Sequence, residues 1–163
     1  HRDLHSFPTR RSSDLEVATL TNSVHAKWGG NAASLEKGAR VATGNEQLML
    51  REGYAELLFD NHARVTVEGP AEFQILAEDR IALNYGKIYS RVPKEAIGFS
   101  VYTQNAKIID LGTEFGVSAE YNGQTELHVF KGKTLLFTRE AGQASKGINI
   151  TVGQAGQIGR AHV

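Results

Sequence analysis

An all-β fold of about ten short strands in a single domain is what the sequence predicts, arranged either as a β-solenoid-like stack or as a compact β-sandwich. Three observations predict it. Glycines punctuate the middle of the chain at Gly38, Gly44, Gly53, Gly69, Gly86, Gly98, Gly112, Gly116, Gly123 and Gly132. The runs between them alternate apolar and polar residues with period two and are rich in β-branched and aromatic side chains, as strands half-buried against a core require. Helical periodicity is almost absent: ASLEKGA offers at most one turn, and TREAGQASKG reads as a loop.

The strands can be justified in order. In YAELLFDNHARVTVEGPAEFQIL, Leu57 and Phe59 fall on one side and Asp60-Asn61-His62 makes a polar turn. Val65 and Val67 follow, Gly69-Pro70 reads as a second turn, and Phe73 and Ile75 make a third strand. The same grammar continues through RIALNYGKIYSRV, GFSVYT, AKIIDLGTEFGVSAEY, QTELHVFKGKTLLFT and INITV. A loose recurrence of glycine, leucine and valine is what the rungs of a solenoid would leave.

The two ends of the 163-residue chain read differently. HRDLHSFPTRRSSDL, residues 1–15, back-translates without a gap into a stretch resembling a short-read sequencing adapter, and IGRAHV, residues 158–163, resembles the opposite adapter. Such flanks are set aside before fold reasoning, which places the single domain at 16–157. The natural protein is then expected to continue beyond both ends. Four of the 18 Lys and Arg and two of the 18 Asp and Glu lie in these flanks, leaving a net charge of about −2 between them. A nucleic-acid partner, which needs a basic surplus on one face, is not expected. The absence of cysteine excludes disulfides and thiolate metal sites.

DLGTEFGV is the densest motif, with Asp110 and Glu114 four residues apart around Gly112. Paired carboxylates suggest glycoside hydrolysis, but that chemistry needs both groups on a common cleft. A turn is the stronger reading: Asp110 accepts backbone N–H groups, Gly116 allows a close backbone approach, and Leu111, Phe115 and Val117 supply core. His25, His62 and His128 lack the close spacing of metal ligands; His62 is expected in a solvated turn and His128 facing out. Phosphate-cradling loops, dinucleotide fingerprints and nucleophile elbows are absent. No catalytic, cofactor-binding or metal-binding residue is therefore expected. Trp28, Tyr54, Tyr85, Tyr89, Tyr102 and Tyr121 are scattered along the chain, which favours packing over a sugar-binding face.

Taken together, LEKGARVATG, LREGYAELLFDNHARVTVEGPAEFQIL, LNYGKIYSRVP, GFSVYTQNAKIIDLGTEFGV and HVFKGK resemble the FecR-type domain of extracytoplasmic regulators of sigma factors. The motif residues are Gly69, Pro70 and Ala71 in one run and Asp110, Leu111, Gly112, Thr113, Glu114, Phe115 and Gly116 in the other. Gln104 departs from the pattern, standing where the family more often has a proline.

The resemblance implies a non-enzymatic, cofactor-free module outside the cytoplasmic membrane. It would relay a signal by binding a protein, either the signalling segment of an outer-membrane transporter or another envelope protein. Contact with the sigma factor and with the membrane would run through a cytoplasmic segment and a helix that this sequence does not contain. A carbohydrate or cell-wall binding module is the alternative, with Trp28, Tyr85, Tyr89 and Tyr121 as the residues concerned.

Overall fold

In a computed structural model, which describes residues 14–30, 35–44, 47–138 and 147–159, the alternation of the sequence becomes a single hydrogen-bonded sheet. Its twelve strands are β1 (Glu16–Gly29), β2 (Arg40–Ala42), β3 (Leu48–Phe59), β4 (Arg64–Ala77), β5 (Arg80–Arg91) and β6 (Ser100–Tyr102), followed by β7 (Ala106–Asp110), β8 (Glu114–Ala119), β9 (Thr125–Lys131), β10 (Lys133–Thr138), β11 (Ile148–Thr151) and β12 (Ala155–Ile158). Among the described residues the only helical turn is a 3-10 turn, Lys94–Ala96. The all-β class holds. Pairing is antiparallel everywhere except between β5 and β6, so the sheet is a mixed one and not a stack of parallel rungs.

Burial follows the alternation: Leu57 and Phe59 on β3, Val65, Val67, Phe73 and Ile75 on β4, and Ile81 and Leu83 on β5 are all sealed from solvent. One reading of the sequence is corrected here. Gly69-Pro70 does not turn the chain but lies in the middle of β4, where the peptide bond is cis. The runs on either side keep the same neighbours, Glu68 opposite Lys87 and Glu72 opposite Tyr85, so they are one strand and not two.

What the Gly-Pro dipeptide marks is a crease. Register shifts fall at the same level in three adjacent strands: between Val24 and Lys27 on β1, between Leu50 and Tyr54 on β3, and between Glu68 and Glu72 on β4. On β5 the crease meets Gly86, at φ +115°. A Cβ there would collide with the Cβ of Ala71, so a small residue must face a glycine where the two backbones close together. Bulges and kinks of this kind let one strand turn a corner and serve two packed layers.

The corner also splits the sheet. Before it, Arg80–Ala82 of β5 pairs in parallel with β6, and β7, β10 and β11 follow to make the first leaf. After it, Gly86–Arg91 pairs with β8, and β9 and β12 follow to make the second. The leaves close on one another over a common core. Phe59 of β3 meets Phe99 edge-on at 4.9 Å, and Gly156 of β12 lies against Leu136 of β10 and Ile150 of β11. Asn105, in the β6–β7 turn of the first leaf, clasps the second: its amide donates to the carbonyls of Gly123 and Gly159, and its Oδ1 accepts from the Thr125 hydroxyl at 2.6 Å.

β12 runs through Ile158, one residue past the boundary expected after Gln157, and Ile158 packs against the core. The Leu15 amide donates to the Thr43 hydroxyl at 2.9 Å and the Leu15 carbonyl accepts the Thr43 amide at 2.7 Å, while residues 1–13 lie outside the described part of the chain. The loop expected at 138–147 also falls mostly outside the described residues.

Candidate functional site

Asp110, Leu111, Gly112 and Thr113 carry the chain from β7 in the first leaf to β8 in the second. Asp110 ends β7 with no exposed surface, and its Oδ2 accepts the amide of Gly112 at 3.0 Å. This is the Asx-type turn that the motif suggested, with Gly112 at φ +91° supplying a conformation that a β-carbon would oppose. The other carboxyl oxygen, Asp110 Oδ1, has no hydrogen-bond partner, nor has the buried Thr113 hydroxyl. Burial therefore dominates and pushes the Asp110 carboxyl up to about 7, with the amides of Gly112 and Thr113 pulling it partly back.

Glu114, four residues on, behaves oppositely. It opens β8 facing outward, accepts the Tyr89 phenol at 2.6 Å and pairs with Arg91 at 3.2 Å. The Tyr89 hydrogen bond, joined by the charges of Arg91 and Lys131, holds its carboxyl below the usual range. Two carboxyls displaced in opposite directions are the mark of an acid–base pair when both reach one substrate. Here they point to opposite sides of the sheet. A recess of about 470 Å³ adjoins the crossover, lined by Arg64, Arg91, Lys94, Thr113, Glu114 and Lys131 among others. Asp110 does not line it.

The outward face of the second leaf is more structured than the sequence indicated. Its rows can be read across the register: Glu68, Lys87, Ser118 and Glu126 form one, and Thr66, Tyr89, Gly116 and His128 the next. Along β8 the side chains are short, so a groove runs over Gly116 and Ser118, between Lys87 of β5 and Glu126, His128 and Phe130 of β9, with a volume of about 310 Å³. Phe130, 57% exposed, leans over Gly116 and lies 5.8 Å from Tyr89. A second recess of about 380 Å³ continues past Lys87, Ser118 and Glu120 to Gly69, Pro70 and Tyr121. There Tyr121, 74% exposed, stacks on Tyr85 at 4.1 Å.

The two motif runs thus do different things. Ala71 is sealed against Gly86 at the crease, while Phe115 and Val117 fill the core beneath the groove and Gly116 forms its floor. Of the aromatic residues singled out, Tyr85, Tyr89 and Tyr121 come together on this face. Trp28 does not: it packs against Phe73 at 6.4 Å, away from the groove. His25, His62 and His128 stand on three separate elements, His25 in β1, His62 in the β3–β4 turn and His128 on β9. Among the described residues no group of acidic and histidine side chains could hold a metal ion. Sequence reasoning overlooked Phe130 and Asn105. An aromatic at the outward parity of TELHVF, two residues after His128, was the available signal for Phe130.

Comparison with known proteins gives a consistent outcome. Residues 39–134 match the family described as FecR protein. No curated protein matches the chain. Among solved structures, a proposed anti-sigma factor from Parabacteroides distasonis ATCC 8503 superposes with a TM-score of 0.55 at 15% identity. The match covers 71% of this chain and 60% of that one, so the chain spans less than two thirds of its neighbour's length, and the likeness is one of fold.

Proposed function

Because the chain belongs to the FecR family, we propose that it is a non-enzymatic, extracytoplasmic domain of an anti-sigma-factor-type regulator that relays a signal by binding another envelope protein. A transporter signalling segment is the partner class that best fits such a relay. The observation that carries the reading is an available strand edge. Among the described residues β11 pairs only with β10, and exposed apolar side chains stand at its two ends, Ile148 (54%) in the strand and Val152 (57%) in the turn that follows it. A partner strand could add there by backbone hydrogen bonds, with these two side chains contributing apolar contact. The inward placement of Asp110 argues in the same direction, since a carboxyl closed to solvent cannot serve a substrate.

Among the described residues no helix is long and apolar enough to cross a membrane, so a tether would come from outside them. The test is capture from an envelope extract of a bacterium that encodes a member of this family, with the captured protein identified by mass spectrometry. Capture by the native chain and its loss in Ile148→Asp/Val152→Asp, whose fold is checked by circular dichroism, is the expected result. Equal capture by both chains would rule out the β11 edge, and no captured envelope protein would count against the relay itself.

A further inference from the structure

We propose that the outward groove over β8 is a binding site for a neutral oligosaccharide. Two exposed rings stand at its ends. Tyr121 is held flat by its stack on Tyr85, leaving its other face to solvent. Phe130 is held over Gly116 beside Tyr89, where any side chain in place of the glycine would press on the ring. Rings fixed in this way lose little conformational freedom on contact, and an apolar sugar face can stack on each.

The groups between the rings suit hydroxyls. Lys87, Ser118, Glu120 and Glu126 line the two joined recesses, and the Glu120 carboxylate has no side-chain partner among the described residues. Carboxylates accept hydrogen bonds from hydroxyl groups, and the ammonium and serine donate to ring and hydroxyl oxygens. Charge narrows the ligand class. With Glu68, three carboxylates face one lysine, a balance that opposes phosphate, sulfate and uronate groups. The backbone narrows it again: β8 is hydrogen-bonded on one side to β5 and on the other to β9, so an extended peptide could not add as a strand here. Recognition must come from side chains, and the pattern of flat apolar rings interleaved with acceptors and two donors matches a chain of neutral sugars.

Isothermal titration of the full 163-residue chain against soluble neutral hexasaccharides (cello-, xylo-, manno-, laminari- and malto-series), with a heparin fragment alongside, tests the assignment. At least one neutral series is expected to bind, and Tyr121→Ala and Phe130→Ala are each expected to weaken it about tenfold or more. Tyr85→Leu, which removes only the backing of Tyr121, should weaken binding less. Tyr102→Ala, on β6 of the other leaf, should leave it unchanged. Melting temperatures of the Tyr121 and Phe130 variants should stay near that of the native chain, because both rings are exposed. Failure of every neutral series to bind, binding of heparin alone, or binding that survives both ring substitutions would each overturn the proposal. So would an envelope protein whose capture is lost in Tyr121→Ala while no hexasaccharide binds, and that result would reassign the face to protein docking.

Discussion

The crease at Gly69-Pro70-Ala71 and the crossover at Asp110 to Glu114 carry the two runs that the sequence singled out, yet they are built from different physics. At the crease the contact is one of volume: Ala71 and Gly86 touch because neither has more than a methyl group to place there. At the crossover the backbone is shaped by a carboxyl that has been taken out of water, with one oxygen bonded to the Gly112 amide and the other unpartnered. The first run should be indifferent to pH and intolerant of bulk. The second should depend on pH.

The largest effect expected is the pH dependence that Asp110 imposes. Its folded-state value of about 7 lies above the 3.8 of an exposed carboxyl, so the protonated form is the one the fold favours. Its contribution is complete below about pH 4 and is lost as pH rises to about 7, because the unfolded chain ionises first. A shift of this size corresponds to an upper limit of roughly 4 kcal/mol. Urea midpoints of the native chain should fall between pH 5 and pH 8, whereas those of Asp110→Asn should stay level; a slope of equal size in both would assign the effect elsewhere.

Gly86→Val comes next. It places a β-branched residue at φ +115° and drives its Cβ into Ala71, so a loss of about 3 kcal/mol is expected, from overpacking and backbone strain together. Chemical denaturation at pH 5 and pH 8 should show the same loss at both. A pH-dependent loss would link the crease to the crossover.

Ala71→Leu tests the same contact from β4 with the backbone left in an ordinary conformation. Overpacking alone should then cost about 2 kcal/mol. A loss as large as that of Gly86→Val would mean that volume, and not the glycine conformation, governs the crease.

The smallest effect is expected at the outward end of the crossover. Glu114→Gln removes the charge of a half-buried carboxylate and leaves an amide acceptor in its place, and the melting temperature should barely move. The Tyr89 phenol, now raised chiefly by its hydrogen bond to Glu114, should return toward its ordinary range, which ultraviolet titration of the tyrosines can follow. A substantial loss of stability would show that the two carboxyls act together after all.

Much of this was legible in the sequence. The period-two alternation identifies the inward faces of β3 and β4 residue by residue, because a side chain's face in a strand depends only on parity. The turn at Asp60-Asn61-His62 and the Asp110–Gly112 contact were equally accessible, since each is made within three residues. Gly69-Pro70 was misread for the same reason: locally it carries the chemistry of a turn, and only the strands on both sides show the chain passing straight through. The groove was invisible because its rings lie far apart along the chain, Tyr85 against Tyr121 and Tyr89 against Phe130.

By itself, then, the sequence determined the all-β class, the inward set of apolar residues, the local turn at Gly112 and the resemblance to the FecR family. All of these rest on interactions between near neighbours or on the order of short motifs. The tertiary structure decided where β5 changes partner, that four long strands bend at one level, that Asp110 is closed to solvent and that scattered tyrosines share a face. These depend on contacts between residues remote in sequence, where a glycine's significance lies in which backbone approaches it and a carboxyl's in what has displaced its water.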